Sequence, residues 1–455
     1  MERVNFKEFI AIATVAVMLL VLAACASPAS PAAGQQAATP AQAANNNAEA
    51  DAERIEIDFW HNWGVTGPGG QSLEESARNF NDSQSEVYVV PHFVPTEGPT
   101  DAIHIRLVTA ILSGTQPQIF LSTRGGMAEF IDVIQPLNDL AARDGITRDD
   151  FYPWAWDESY YLGVLMGLPY DGTARLLFYN VDHFIEAGLD PENPPRDIAT
   201  LEEYARLLTI REGNRIVQYG FVPHFAEGSL FTWGLSFGGS FYDIDTGFYT
   251  NTDPRIVDAL TWMTGFGIDL IGLDEARGFR AAAGADAGDP FISGLLSMKV
   301  TGNWRLGDIA RFNPDLNFAV TPIPTPTGTD FTTFIGGRAL LIPDGNPDHL
   351  IEAAWEAIKF MTMDEMGQTP MSIAGNFPAS PQFTEQMYRD NEFFMAFADV
   401  LPYGYARPVS LASNMFFERF VAAPDLVFAG EDPYEVLNSM DELLNEELER
   451  VRRDR

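Results

Sequence analysis

The chain has 455 residues, of which 46% are hydrophobic and 12% aromatic, so it can bury a large core. Its formal net charge is −36, which argues against a nucleic-acid partner because phosphate binding needs basic patches. Soluble domains rarely reach this length undivided, and we therefore expect two domains.

Residues 1–24 have the features of a lipoprotein signal peptide. Arg3 and Lys7 precede an uncharged apolar run over residues 10–24, which is shorter than the ~20 residues that a membrane-spanning helix needs. The run ends in LAAC, which resembles a bacterial lipobox with Cys25 as the lipidated residue. Cys25 is the only cysteine, so the chain can form no internal disulfide. An ordinary secretory signal with an incidental cysteine is the alternative.

Residues 25–53 lie between this signal and the first predicted strand. From residue 26 to about residue 51 they include no large apolar side chain, and such a segment cannot bury enough surface to fold. We expect a flexible tether that holds the globular part, which begins near Arg54, clear of a membrane. The expected location is extracytoplasmic, at the outer face of the cytoplasmic membrane.

Strands alternate with helices along the globular part. This pattern indicates βαβ units and a largely parallel sheet, in which ligands lie at the carboxyl ends of the strands. The loops at residues 60–64 and 122–126, each at the end of a predicted strand, are therefore candidate sites. The predicted strands cover residues 55–59, 87–93, 118–122, 176–179 and 219–223, and the predicted helices cover residues 72–80, 102–112, 182–187, 201–208, 256–266, 351–361 and 434–450. Residues 233–249 predict a hairpin, residues 295–298 a helical or semi-helical segment, and the proline- and threonine-rich residues 321–329 a linker or hinge.

Several segments, in this order, resemble the extracellular solute-binding proteins often called family 1, the group that contains maltose-binding protein. The resemblance covers nearly the whole mature chain. Its most specific segment is LFYNVDHFIEAGLDPENPPRDIATLEEYARLLT from Leu177, and others are LVTAILSGTQPQI from Leu107, WGLSFGGSFYDIDTG from Trp233 and GLLSMKVTGNW from Gly294. The sequence departs from the family pattern at Gln118 and Ile198, neither of which should carry the function.

The resemblance implies an α/β fold of the two-lobed, type II periplasmic-binding-protein kind, with a ligand cleft between the lobes and a hinge. By analogy, lobe one covers residues 54–170 and 328–378, and lobe two covers residues 171–327 and 379–455. The family implies a monomer without a cofactor that captures a small solute, a mono- or oligosaccharide in the first place. Ligand binding closes the cleft, and the closed form delivers the solute to the membrane permease subunits of an ABC importer.

Sugars present hydroxyl groups and flat C–H faces, so their sites combine aromatic rings with planar polar side chains. Trp304, which follows Asn303 in a Gly-Asn-Trp run, matches the family position where a tryptophan commonly stacks on the ligand. A core tryptophan is the alternative for Trp304, and an ion pair elsewhere is the alternative for Arg124. The remaining candidates stand near predicted strand ends, crossings or glycine pairs: His61, Trp63, Thr123, Arg124, Tyr170, Asp171, His224, Glu227, Trp233, Arg338 and Arg407.

The sequence also raises the question of a metal site, an enzyme activity or an anionic ligand. Asp243 and Asp245 resemble the opening of a calcium loop, but Pro254 stands where that loop needs glutamate, so we predict a hairpin turn. The six histidines have no metal-site spacing, and we expect no metal. We expect no enzyme activity, although the abundant carboxylates leave a secreted carbohydrate-active enzyme as an alternative class. Glycerol phosphate or another polar anion is the alternative ligand, should Arg124, Arg338 and Arg407 converge in the cleft.

Overall fold

The computed structural model describes residues 54–95, 102–282 and 288–454. The predicted signal peptide and tether, with Cys25, lie outside the described residues. The strands are β1 (Ile55–His61), β2 (Val87–Phe93), β3 (Ile119–Thr123), β4 (Tyr160–Tyr161), β5 (Val164–Leu165), β6 (Leu168–Pro169), β7 (Asp171–Gly172), β8 (Arg175–Asn180), β9 (Ile210–Glu212), β10 (Arg215–Phe221), β11 (Tyr242–Asp243), β12 (Phe248–Tyr249), β13 (Leu296–Gly302), β14 (Phe318–Thr321), β15 (Thr333–Phe334), β16 (Arg338–Leu341), β17 (Phe377–Pro378) and β18 (Gly404–Tyr405).

Helices cover most of the remaining described chain. The α-helices are α1 (Pro68–Ser83), α2 (Ala102–Ser113), α3 (Asn138–Arg143), α4 (Pro153–Ser159), α5 (Val181–Glu186), α6 (Ile198–Leu208), α7 (Leu230–Ser236), α8 (Pro254–Ile271), α9 (Leu273–Ala282), α10 (Arg305–Phe312), α11 (Asp348–Met363), α12 (Glu365–Gln368), α13 (Met371–Ala374), α14 (Pro381–Tyr388), α15 (Glu392–Val400), α16 (Ser413–Phe428) and α17 (Pro433–Asp454). Three 3₁₀ segments are Arg124–Val133, Arg148–Asp150 and Leu401–Tyr403.

The first sheet has the order β2-β1-β3-β16-β6. β1 runs parallel to β2 and β3, whereas β16 is antiparallel to β3 and β6. Ile57 and Phe59 of β1 are fully buried, as the alternation of apolar and acidic residues predicts. α1 and α11 bury apolar residues against this sheet, including Leu73 and Trp355, so the parallel strands are covered as such strands require.

The second sheet has the order β14-β8-β13-β10-β9, in which β13 is parallel to β10 and antiparallel to β8. Every residue of β8 and β13 is buried. The prediction of a helical segment at residues 295–298 is wrong, because β13 occupies this part of the chain. Apolar Leu296, Met298 and Val300 alternate with polar Ser297, Lys299 and Thr301, which is the two-residue period of a strand, so the sequence carried the signal. In this case both sets of side chains are buried.

The chain passes between the two sheets at residues 169–175, and again at residues 321–338, which include the proline- and threonine-rich segment. The predicted two-lobed α/β fold is confirmed. The predicted hairpin is present as β11 and β12, but the segment before it is α7, so Trp233 is helical. Within the described residues no single helix is both long and apolar enough to cross a membrane; α8 and residues 273–279 pass that test only as a pair bent by 110°.

Candidate ligand-binding cleft

A cleft of about 470 Å³ lies between the two sheets, a size typical of small-molecule sites. The first sheet contributes the loop after β1, the end of β3 and the start of β16, and the second sheet contributes the start of β8 and the loops after β10 and β13. The lining residues are Asn62, Trp63, Gly64, Thr66, Gly67, Pro68, Gly69, Gly70, Thr123, Thr173, Arg175, Glu227, Trp304, Asp308, Phe334, Gly336, Gly337, Arg338, Ala374, Asn376, Arg407 and Phe417.

The glycine-rich loop from Gly64 to Gly70 brings the first turn of α1 to the cleft. Pro68 stands at the first helical position, where its missing N–H group costs nothing. A Cβ atom on Gly70 would collide with the carbonyl oxygen of Gly64, so this close approach requires glycine. The helix has no side-chain cap and no acidic residue in its first turn, so its own side chains do not compensate the positive end that it presents to the cleft.

Guanidinium groups stack on aromatic rings around the cleft. The Cζ atom of Arg175 lies 3.9 Å from the ring centroid of Phe334 and 4.9 Å from that of Trp304. On the opposite wall, Arg338 lies 4.8 Å from the ring centroid of Trp63. Such stacking holds flat, hydrogen-bonding groups beside apolar ring surfaces.

Arg407 makes a third stack of this kind. Its Cζ atom lies 5.0 Å from the ring centroid of Phe417 and 5.7 Å from that of Phe334. Its side chain also packs against Gly125, where a Cβ atom would stand 3.2 Å from the arginine Nε atom. Arg407 therefore reaches from residues next to β18 to the segment that follows β3.

Carboxylates accompany the other two cleft arginines. Arg175 Nε donates a hydrogen bond of 3.0 Å to Glu227 Oε2, and Arg338 Nη1 lies 3.8 Å from Asp171 Oδ2. Burial lowers the pKa of Arg338, an effect that Asp171 opposes and that Arg124 strengthens. Because arginine normally titrates near 12.5, the group still carries its charge at neutral pH, and that charge is balanced locally.

Asp308 is supported from behind the cleft wall by a buried ion network. Arg305 Nη1 lies 2.9 Å from Asp308 Oδ2 and 3.5 Å from Asp289 Oδ2, and Lys299 donates a hydrogen bond to Asp289. Burial lowers the pKa of Lys299 to about 8, with Arg305 adding to the effect and Asp289 opposing it. The network fixes the start of α10, which follows Trp304 directly.

The structure brings six of the predicted site residues to the cleft. They are Trp63, Thr123, Glu227, Trp304, Arg338 and Arg407. Trp304 is partly exposed there, as a stacking role requires, whereas Trp63 is 8% exposed and its ring packs against Tyr170 and Arg338.

Four predicted residues lie in the protein interior, outside the cleft lining. His61 is fully buried between Phe59 and Phe93, and burial lowers its pKa to about 4. Tyr170 and Trp233 are fully buried in the cores of the first and second sheet; the indole N–H of Trp233 donates to the Pro223 carbonyl group. His224 is hydrogen-bonded to the Ala276 carbonyl group at 2.7 Å and packs on Phe428.

The other three predicted residues, Arg124, Asp171 and Asn303, are fully buried where the chain crosses between the sheets. Arg124 Nη1 donates to the carbonyl oxygens of Asp171 and Arg338, and Arg124 Nε donates to Glu158 at 3.0 Å. Asp171 accepts the backbone N–H group of Arg338 and the side-chain amide of Asn376.

Asn303 links the same region to the end of α13. Its side chain accepts the N–H group of Ala174 at 2.8 Å and donates to the carbonyl oxygen of Gly375 at 2.7 Å. These groups shape the cleft from behind, and none of the three lines it.

Sequence reasoning missed several side chains that line the cleft: Arg175, Asp308, Phe334, Asn376 and Phe417. Arg175 carried a usable signal, because an arginine at the start of an apolar strand needs a partner or a ligand. Phe417 lies within the amphipathic part of α16, where its sequence context resembles that of core residues. Among the described residues no group of His, Cys, Asp or Glu side chains could hold a metal ion.

Two α/β lobes with a polar, ring-lined cleft between their sheets define the class of two-lobed solute-binding proteins. The family model for bacterial extracellular solute-binding proteins matches residues 78–394. The chain belongs to this family, whose members bind small solutes outside the cytoplasm.

Individual relatives agree with this assignment. The sn-glycerol-3-phosphate-binding periplasmic protein UgpB of Rhizobium meliloti (strain 1021) is 25% identical over 340 residues, which cover 71% of this chain and 75% of that protein. The structure of CpMnBP1 with mannobiose bound has a TM-score of 0.76 at 24% identity, covering 86% of this chain and all of the other. An ABC transporter solute-binding protein from Thermotoga lettingae, bound with α-D-tagatose, has a TM-score of 0.74 at 21% identity, covering 87% and 100%.

Proposed function

We propose that this protein is the substrate-binding component of an ABC importer and that its ligand is a neutral mono- or oligosaccharide. One arrangement carries the proposal: Arg175 is hydrogen-bonded to Glu227 and stacked between the rings of Trp304 and Phe334. Sugar hydroxyl groups can donate to the carboxylate and accept from the guanidinium, while a sugar C–H face packs on an aromatic ring.

Charge balance favours a neutral ligand over an anion. Arg175 shares its positive charge with Glu227, and Arg338 stands beside Asp171. Asp308 adds a further carboxylate to the lining. A phosphate in this cleft would share the guanidinium groups of Arg175 and Arg338 with carboxylates and would face like-charge repulsion, which costs affinity. The sugars bound by the two structural neighbours support the same choice.

Glycerol phosphate is the second candidate. The uncapped positive end of α1 faces the cleft, and helix N-termini bind phosphate groups readily. The relationship to the glycerol-3-phosphate-binding protein of Rhizobium meliloti supports this candidate as well.

The mode of action follows the proposed role. We place the lobes at residues 54–170 with 328–378 and at residues 171–327 with 379–455, joined by crossings that act as a hinge, and ligand contacts with both lobes stabilise the closed cleft. The protein binds its solute without converting it, acts as a monomer, and is anchored by lipid on Cys25 at the outer face of the cytoplasmic membrane.

A thermal-shift panel tests the proposal. It compares mannobiose, maltose, tagatose and glycerol 3-phosphate, each at saturating concentration; a ligand at 100 times its Kd stabilises the folded state by about 2.7 kcal/mol. We expect a sugar to raise the Tm, Trp304→Ala to abolish the shift, and Trp156→Ala, outside the cleft, to retain it. A shift with glycerol 3-phosphate alone would establish the second candidate, and release of hydrolysis products would replace the binding role by an enzymatic one.

A further inference from the structure

A second pocket, of about 820 Å³, lies on the second-sheet side of the protein, outside the cleft. It is formed by α7 and the glycine turn after it, the β11–β12 hairpin, residues 325–332 of the second crossing, and residues 405–408. Its size falls within the range of small-molecule sites. None of its lining residues also lines the cleft.

Aromatic rings form the floor and part of the rim of this pocket. Phe231 and Phe241 are buried in the floor, with ring centroids 4.9 Å apart. At the rim, Phe331 is 44% exposed and Tyr405 is 60% exposed. Exposed rings beside a buried aromatic floor offer flat apolar surface to a ligand face.

Hydroxyl groups supply the polar part of the lining: Ser236, Ser240, Thr325, Thr327 and Thr332. Thr332 is only 7% exposed, and its hydroxyl group has no hydrogen-bond partner among the described residues. Buried polar groups are nearly always hydrogen-bonded, so this hydroxyl is available to a ligand that enters the pocket.

The charged lining residues are Arg255 and Asp330, and each is engaged by the protein itself. Arg255 makes two parallel hydrogen bonds to the carboxylate of Asp253, with Nε–Oδ1 at 2.9 Å and Nη2–Oδ2 at 2.5 Å. Asp330 accepts the hydroxyl group of Thr327 at 3.0 Å. The arginine of the pocket is paired with a carboxylate, and the remaining lining consists largely of rings and hydroxyl groups, which matches a polyhydroxylated ligand.

We propose that this pocket is a second carbohydrate-binding site, separate from the cleft. The two sites share a wall: Thr332 and Tyr405 face the pocket, whereas Phe334 and Arg407, on the same two segments, line the cleft. Phe231 in the pocket floor contacts the Phe334 ring edge-to-face, with centroids 5.0 Å apart. The second site is formed by different residues from the cleft, so each of the two sites can be tested without the other.

Saturation-transfer NMR with mannotriose and the full chain tests the second site. We expect transfer to the sugar to persist in Trp304→Ala, in which the cleft platform is removed. We expect it to disappear when Phe331→Ala and Tyr405→Ala are added to that variant, and to persist when Tyr434→Ala is added instead; Tyr434 is 48% exposed on α17, outside both sites. Phe331 and Tyr405 are exposed at the rim, so their removal leaves the core intact.

Two results would overturn the second site. If Trp304→Ala alone removes all transfer, mannotriose binds only in the cleft, and the proposed function stands without this inference. If the Phe331 and Tyr405 substitutions leave transfer unchanged, the sugar does not use this pocket. Absence of transfer with the unsubstituted protein would also overturn the second site, and the thermal-shift panel would then decide the ligand of the cleft independently.

Discussion

The carboxylate of Glu129 caps the N-terminal turn of α16 through Asn414, accepting its backbone N–H group at 2.6 Å and its side-chain amide at 2.7 Å. Glu129 lies in the 3₁₀ segment after β3 of the first sheet, whereas α16 packs in the core of the second sheet. No side chain of the helix itself caps its N-terminus, so a residue next to the first sheet accepts an N–H group of a helix that packs on the second sheet.

Glu129→Ala should weaken ligand binding although Glu129 lies outside the cleft. We expect the contact to form only when the two sheets are brought together, and hydrogen bonds to a charged group contribute about 1.5–3 kcal/mol. A loss of about 1.5 kcal/mol corresponds to a rise of about tenfold in the Kd of the cleft ligand, which calorimetry measures. Glu418→Ala, on the exposed face of the same helix, should leave the Kd unchanged. A lowered Tm with an unaltered Kd would mean that the contact is equally present in the open form.

Glu227→Gln should separate the two candidate ligands. The change removes the negative charge that balances Arg175, so a neutral sugar loses a charged hydrogen-bond acceptor and should bind about tenfold more weakly. Glycerol 3-phosphate should bind more tightly, because the guanidinium no longer has a competing carboxylate. The measurement is a pair of titrations, with Glu212→Gln as the control because Glu212 and its partner Arg215 are exposed. Equal weakening for both ligands would contradict this role of the charge.

Gly337→Ala should destabilise the protein by about 1–3 kcal/mol, the usual cost of overpacking. A Cβ atom there would collide with the carbonyl oxygen of Asp171 and stand 2.5 Å from the guanidinium nitrogens of Arg124. Gly265→Ala provides the opposite case, since open space surrounds this position within α8 and alanine should stabilise the helix by about 0.5–1 kcal/mol. Denaturant unfolding measures both, and a neutral Gly337→Ala would disprove the close packing at this crossing.

His61 should make stability depend on pH between about 6.5 and 4. Its pKa is about 4 in the folded protein and near 6.5 when unfolded, so acid protonates the unfolded state first and favours unfolding. The contribution of His61 to the free energy of unfolding is fully present above pH 6.5. It is lost as the pH falls to about 4, which lowers the unfolding free energy by about 3 kcal/mol. His61→Leu should flatten the pH dependence of the unfolding free energy by this amount. His349→Gln, at an exposed position, should preserve it, and identical profiles for His61→Leu and the unsubstituted chain would refute the assignment.

Much of the fold could be predicted from local pattern. Val87–Phe93 is the strand that the sequence indicates, and α11 and α17 extend the predicted helices by a few residues at each end. The alternation in β13 also predicts a strand, but local pattern does not predict the burial of its polar face. That burial depends on tertiary partners, because Lys299 donates to Asp289 and the Ser297 hydroxyl group is hydrogen-bonded to His183.

Candidate cleft residues could be predicted where a suitable side chain follows a predicted strand, as Trp63 does, or where it matches the family pattern, as Trp304 does. Sequence cannot tell which aromatic ring turns inward, and so Tyr170 and Trp233 seem as suitable as Trp304 until their burial is known. Arg175 and Glu227 are 52 residues apart, and nothing local to either reveals the ion pair that they form at the cleft.

The guanidinium of Arg124, which follows β3, bonds three other chain segments: α4, β7 and the start of β16. Just beyond these hydrogen bonds, Thr173 and Gly336 exchange backbone hydrogen bonds of 2.9 and 3.0 Å. We therefore expect any bending between the lobes to occur in the parts of the two crossings that lie outside these hydrogen-bonded residues. Engineering of this protein into an optical sensor should accordingly leave residues 171–175 and 336–338 untouched and attach its reporters away from them.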